Sequence, residues 1–235
     1  GMSKTVLGVI GGSGVYGVDG LENPRWERVR SPWGEASDEL LFGRLSGVEM
    51  VFLPRHGRGH VHSPTSINYR ANIDALKRAG VTDVISVSAC GSFKEELPPG
   101  TFVLADQFID RTFAREKSFF GPGFVAHVSM AHPICPKLQG ALAEAAREAG
   151  IKPVVGGTYL AMEGPQFSTL AESNLYRSWG CSVIGMTAFF AVVFALLVAF
   201  MFLAGNTVTR VAAVILSMIA IPIVATKDAN VLAVS

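Results

Sequence analysis

Residues 5–17, TVLGVIGGSGVYG, decide how the rest of the chain is read. The first half is a short apolar, β-branched run, and the second is a cluster of glycines around Ser13. The stretch reads as a buried strand running into a glycine turn, and in open α/β sheets ligands bind beyond such strand ends. Residues 12–17 also satisfy G-x-G-x-x-G, which alone is weak support for a dinucleotide fold. The continuation, VDGLENPRWERVRSPWG, carries Pro24 and Pro32 and does not read as a helix. No second apolar strand closing on an acidic residue follows at the required distance, so the dinucleotide reading is rejected. The turn suits an oxyanion held by backbone N–H groups and the Ser13 hydroxyl, the alternative being a plain tight turn.

Working outward, the same alternation repeats. VEMVFLPRHG (48–57), VTDVISVSACGS (81–92), VVGGTYLAMEGPQF (154–167) and CSVIGMT (181–187) read as apolar strands that end in small or charged residues. Between them lie helical stretches. In residues 63–80, Ser63 is the expected cap, Pro64 suits the first turn and Gly80 the stop. Residues 136–150 stop at Gly150, and residues 169–180 give a third helix. The fold class is therefore α/β with a largely parallel or mixed sheet. Five strand ends gather the chemistry: residues 11–14, Arg55–His56, Ser88–Gly91, Glu163–Phe167 and Met186–Thr187.

The formal net charge of +1 and the absence of a basic block argue against nucleic acid as a partner. Cys90, Cys135 and Cys181 make an odd set without a CxxC pair, which fits reduced thiols in a cytoplasmic setting. Gly1 before Met2 reads as a scar of tag removal, and no charged-then-apolar secretory pattern opens the chain.

PRHGRGHVH holds Arg55, His56, Arg58, His60 and His62. Three histidines suggest a metal, but two arginines in one loop repel a cation and no carboxylate is expected close by, so no metal is expected. Arg55 beside His56 at a strand end suits phosphate, with the arginine as a charged donor fork and the histidine as a further donor. A solvated basic loop is the competing reading. In SVSACGS, the small side chains of Ser88, Ala89, Cys90 and Gly91 let a flat ligand approach the backbone. Cys90 is read as a buried, inert thiol, since sequence shows no base beside it. In MEGPQFST, Phe167 is either a base-stacking ring or core packing. Glu163 after an apolar strand calls for a role, because carboxylates are seldom buried without one.

Together GVIGGSGVYG, FLPRHGRGH, NYRANIDALKRAG, SVSACGS, LADQFIDRT, AHVSMAHPICP, GGTYLAMEGPQFST, AESNLYRSWG and VIGMT resemble the trimeric purine nucleoside phosphorylase family, in its methylthioadenosine-cleaving branch. They stand in the family's order and spacing over about residues 5–187. The resemblance implies an α/β fold with a distorted mixed sheet flanked by helices, a homotrimer, and a pentosyltransferase of purine salvage. The implied reaction is phosphorolysis of 5'-methylthioadenosine to adenine and 5-methylthioribose 1-phosphate. Inorganic phosphate is then a co-substrate, and no cofactor is expected. By the same resemblance Ser13, Arg55, His56, Ser88, Ala89 and Thr187 hold phosphate. Cys90, Gly91, Phe167, Ser168 and Met186 line the nucleoside, and His127 reaches a neighbouring subunit's site.

The resemblance stops at Thr187. From residue 188 to 235 the only charged residues are Arg210, Lys227 and Asp228. The family continues with a polar N-x-P-E-A helix and a T-D-Y-D strand whose aspartates bind the purine edge and assist its protonation. Here those aspartate positions fall on Arg210 and Ala212, and Asp228 is a weak, displaced substitute. Residues 188–204 are 17 without a polar side chain, and residues 211–225 are 15 interrupted only by Ser217 and Pro222. A membrane span wants about 20. The expectation is a phosphorylase domain over 1–187 and a tail over 188–235 that is not its native continuation. A membrane hairpin and replacement core elements are the alternatives. Two other functions stay open: a 6-oxopurine nucleoside phosphorylase, and a membrane-tethered or inactive nucleoside- and phosphate-binding module.

Overall fold

The computed structural model describes residues 5–12 and 16–187. The opening run forms β1 (Val6–Gly11), buried along nearly all its length. Two strands follow that are not among the expected elements, β2 (Glu22–Glu27) and β3 (Leu40–Leu45). They pair antiparallel with each other, and β3 pairs antiparallel with β4 (Val48–Pro54). β2 contains Pro24, is mostly exposed and sits at the sheet edge, where a strand carries no apolar alternation to read. The β3–β4 hairpin did leave a signal: Ser46–Gly47 between two apolar runs, both at positive φ, as a tight hairpin turn demands.

Helix α1 spans Tyr69–Arg78 and starts later than expected. Its cap is Asn68, whose side chain accepts from the Ala71 N–H at 3.0 Å, while Ser63 closes a separate turn on Ser66. Then come β5 (Asp83–Ser86), β6 (Gly91–Ser92), β7 (Val103–Leu104) and β8 (Gln107–Arg111). Helix α2 covers Pro136–Glu148 and is followed by β9 (Val154–Val155) and β10 (Thr158–Met162). Helix α3 (Leu170–Ser178) carries a full capping box between Thr169 and Glu172 and leads to β11 (Val183–Gly185). Gly80 and Gly150 stop α1 and α2 as expected.

The main sheet has the order β2-β3-β4-β1-β5, with β4, β1 and β5 parallel. Leu7, Val9, Met50 and Phe52 pack on one face, with Leu138 of α2. Ile10, Val51 and Leu53 pack on the other, with Ile73, Ala75 and Leu76 of α1. A strand covered on both faces reads as a continuous apolar run, which is why β1 and β4 were legible. A second sheet, β6-β11-β10-β8, contributes Tyr159, Ala161 and Val183 to the α1-side core, so the two sheets share one hydrophobic interior. A short β7–β9 pair completes a mixed α/β architecture.

Candidate functional site

Register places the strand ends together. In the main sheet Gly11 pairs with Pro54 and Ile10 with Ser86, so Gly12, Arg55 and the 87–90 segment leave the same edge. In the second sheet Met162 pairs with Arg111 and Ala161 with Gly185, so Glu163 and Met186 leave a common edge too. The 87–90 segment joins the two edges, because Gly91 pairs with Ile184. Thr65, in the loop before α1, donates to Glu163 at 2.8 Å. The strand ends expected from the sequence thus leave edges that the 87–90 segment connects, while Ser13 and Asp228 lie outside the described residues, as does all of 188–235.

Arg55 is buried at 6 % exposure. Its Nη1 donates to the Val87 carbonyl at 2.6 Å and its Nη2 approaches the Ser88 hydroxyl at 3.4 Å. A β-carbon at Gly12 would stand 3.2 Å from Nη2, so the glycine turn lies against the guanidinium. Among the described residues the buried Nε has no hydrogen-bond partner and no carboxylate forms an ion pair with the side chain. Burial lowers the Arg55 pKa. A buried cation without an anion is costly, and an anion held against it offsets that cost.

His56, also buried, departs from the role expected of it. Its Nδ1 lies 2.8 Å from the His62 carbonyl oxygen, which can only accept, so Nδ1 carries the proton. Burial lowers its pKa to about 4, aided by the charges of Arg55, His60 and His62, while the bond to His62 opposes the shift. At neutral pH the ring is uncharged and Nε2 is an acceptor, not the further donor expected.

Arg58 corrects a second expectation, since carboxylates do lie close in space: Asp38 at 2.9 Å and Glu39 at 2.9 Å. Their absence from the loop's own sequence hid them.

Glu163 has a clear partner that sequence reasoning missed, Arg115 at 2.7 Å, with both side chains almost fully buried. Arg115 also donates to the main-chain oxygens of Met162, Glu163 and Met186 and to the Tyr69 hydroxyl. Burial pushes the Glu163 carboxyl up. Four bonds outweigh that, from the N–H groups of Phe113 and Ala114, the Thr65 hydroxyl and Arg115, and hold it at about 2. Nothing in the local spacing around Arg115 announces the pair; a buried-carboxylate argument for Glu163 implies a cation without saying which.

Phe167 is 44 % exposed, against the core-packing alternative. The Ser168 hydroxyl lies 2.8 Å from that of Ser173. Met186 packs its sulfur over Gly164, and Thr187 is buried. Ala89 and Cys90 are exposed, so the thiol is not buried as expected. The surrounding protein nonetheless desolvates it and pushes it up to about 11, which keeps it protonated. His127 lies apart, on an exposed stretch with Phe124, Val125 and Val128. Among the described residues no cluster of His, Cys, Asp and Glu is placed to hold a metal, and no helix is long and apolar enough to cross a membrane.

A sequence model described as the phosphorylase superfamily matches residues 6–216. S-methyl-5'-thioadenosine phosphorylase of Cereibacter sphaeroides is 71 % identical over 184 residues, which are 78 % of this chain and 63 % of that protein. The protein of the same name from Rhodospirillum rubrum is 70 % identical with the same coverage. This chain therefore spans less than two thirds of the length of those relatives. A crystal structure of methylthioadenosine phosphorylase from an antarctic soil metagenomic library superposes with a TM-score of 0.81 and 38 % identity, covering 93 % of this chain and 86 % of that one. Methylthioadenosine phosphorylase from Schistosoma mansoni, in complex with tubercidin, superposes at 0.79 and 32 % identity, covering 92 % and 91 %.

Proposed function

The chain belongs to the phosphorylase superfamily, and from that premise we propose that its crevice carries out phosphorolysis of 5'-methylthioadenosine, giving adenine and 5-methylthioribose 1-phosphate. The observation that carries this reading is Arg55: a buried guanidinium at a strand end, beside a glycine turn and a serine hydroxyl, with no carboxylate paired to it among the described residues. Phosphate is the anion that such a fork suits.

In this reading Ser13, Arg55, His56, Ser88, Ala89 and Thr187 hold the phosphate. Because His56 Nε2 is an acceptor, it accepts a hydrogen bond from the hydroxyl that phosphate retains at neutral pH, and the proton stays on phosphate. Cys90, Gly91, Phe167, Ser168 and Met186 line the nucleoside, with exposed Phe167 free to stack on the purine. A phosphate oxygen attacks the anomeric carbon as its bond to the purine breaks, and the bonding electrons leave with the purine, which takes up a proton. Fixed orientation and the held dianion, set beside the developing ribosyl cation, supply the rate. No redox or metal chemistry is needed, so no cofactor enters this reading.

A homotrimer in the cytoplasm, serving purine salvage, belongs to the same proposal. Exposed Phe124, Val125 and Val128 around His127 are the apolar surface that a neighbouring subunit would cover. Asp228 is the candidate proton donor for the leaving purine. The test is adenine release from methylthioadenosine with and without phosphate, for this chain and for Asp228→Asn. Phosphate-dependent release supports the reading, and release that is absent or indifferent to phosphate overturns it. General acid catalysis contributes about 10²–10⁴-fold, so an Asp228 that donates the proton shows a turnover loss of that order on substitution.

A further inference from the structure

Three contacts hold the Arg55–His62 loop from outside the crevice, and all come from one short segment, residues 37–39. The Asp38 carboxylate accepts from the Arg58 main-chain N–H at 2.6 Å and from its guanidinium at 2.9 and 3.1 Å. Glu39 accepts a further bond from the same guanidinium. The Ser37 carbonyl lies 3.1 Å from His62 Nε2, and a carbonyl can only accept, so that nitrogen carries a proton. The loop passes so close beneath Ser37 that a β-carbon at Gly57 would stand 3.0 Å from the Ser37 oxygen, and Gly57 itself has φ +72°.

The segment has its own anchor. Asn72 of α1, 3 % exposed, accepts from the Ser37 N–H at 2.8 Å and donates to the Ser37 hydroxyl at 3.0 Å. Arg58 also lies over the Trp26 ring at 3.9 Å, and Trp26 packs edge-on against Tyr16, just past the glycine turn. On the inner side, His62 is bonded to His56 twice, through His62 N–H to the His56 carbonyl and through His56 Nδ1 to the His62 carbonyl. His60 stacks on the His56 ring at 4.4 Å.

We infer that Asp38 and Arg58 are positioning residues for phosphate: a clamp, anchored through Ser37 on Asn72, that fixes the His62 carbonyl and thereby the tautomer and direction of His56. None of the clamp residues needs to touch the ligand. The device explains why Arg58, one of two arginines in the loop, is unsuited to binding anions itself, since two carboxylates already occupy it. The inference rests on the proposal that His56 receives phosphate.

Asp38→Asn keeps the shape and removes the charge at a partly exposed site, so the chain is expected to fold. The KM for phosphate should rise about tenfold, because a small misplacement of a binding group costs up to about a hundredfold. The KM for methylthioadenosine should stay within about twofold, whereas general loosening would move both. Independently of activity, the His56 imidazole, followed by NMR in the free protein, should titrate away from its depressed value near 4, because both the burial that lowers it and the His62 bond that raises it change when the ring is released. Arg58→Gln breaks the same pair from the other side and should give the same two changes. The double variant should be no worse than either single one, and Asp38→Glu should restore part of the loss. If both single variants leave the His56 titration and the phosphate KM unchanged, or raise both KM values together, the clamp is refuted. A wild-type chain without phosphate-dependent activity would instead refute the function, and the NMR titration would still decide the clamp.

Discussion

Arg55 and Arg115 are buried to the same degree, at 6 % and 7 % exposure, each beyond a strand end of its sheet. Their surroundings are opposite. Arg115 meets a carboxylate, three main-chain oxygens and a tyrosine hydroxyl, all from elements that it ties together. Arg55 meets one carbonyl and, at longer range, one hydroxyl, and its Nε is left without a partner among the described residues. Depth alone therefore does not mark a functional cation; the balance of its partners does. Arg115 is satisfied by the protein and acts in the fold, whereas Arg55 keeps unfilled donor capacity among the described residues, which the proposed function gives to phosphate.

The largest effect should come from undoing the satisfied site. Arg115→Ala leaves the Glu163 carboxylate buried without its cation and should cost about 3–5 kcal/mol in urea unfolding. Arg55→Ala removes a buried charge that has no carboxylate partner among the described residues, so in phosphate-free buffer its stability should change far less. Equal losses in the two variants would erase the contrast. Acid provides a second view of the same pair. The Glu163 pKa in the folded chain, about 2, lies below its ordinary 4.5, so the contribution is fully present above pH 4.5 and is lost as pH falls from 4.5 toward 2. Glu163→Gln should flatten unfolding free energy against pH in that window, and a slope there identical to wild type would show that another carboxyl governs it.

Phosphate should separate the two arginines in the opposite sense. Arg55→Ala removes a charged donor, a loss of about 1.5–3 kcal/mol, or roughly 10- to 150-fold in affinity. Calorimetric titration with phosphate measures it directly. An unchanged dissociation constant would take Arg55 out of the anion site and remove the main support for the proposed reaction.

How far these two sites could be read from sequence follows from how local their signals are. Arg55 follows an apolar strand by one residue, so the pattern that reveals β4 also places the arginine. Arg115 stands in a loop, 48 positions from Glu163, and only the folded chain brings them together. The same distinction covers the clamp: Asp38 is 20 residues from Arg58, which is why the loop looked free of carboxylates. Central strands β1 and β4 were legible because both faces are apolar, while β2 was not, being an exposed edge strand with a proline. The helices were found, but the α1 start was misplaced because Ser63–Pro64 imitates a cap and first turn, five residues before Asn68 does the work. The protonation state of His56 was out of reach, since it depends on where the His62 carbonyl points.

A smaller effect tests whether the proposed base site is independent of the proposed phosphate site. Phe167→Ala should weaken binding of an adenine nucleoside by about 1–3 kcal/mol, the range for a stacked base. Phosphate affinity should remain as in the wild type, and stability should move by no more than about 0.5 kcal/mol, as for surface substitutions. Equal weakening of both ligands would mean that Phe167 shapes the crevice as a whole, and the division into two ends would fail.

The smallest effect concerns how far the Arg55 charge reaches. Cys90 lies two residues beyond Ser88, on the edge that Arg55 occupies. A cation felt there would lower the thiol and make it reactive. Instead desolvation by the surrounding protein is the whole cause of its shift, from an ordinary 9 to about 11. At pH 8 its thiolate fraction is then about a hundredfold below that of an unperturbed thiol. Iodoacetamide should therefore modify Cys90 slowly despite its exposure, as peptide mapping by mass spectrometry would record. The rate in Arg55→Ala should match wild type within about twofold, because a guanidinium that contributes nothing to the thiol's pKa takes nothing away when removed. Marked slowing in the variant would show that the Arg55 field extends along the whole edge, and the charge would then act on the purine side as well as on phosphate.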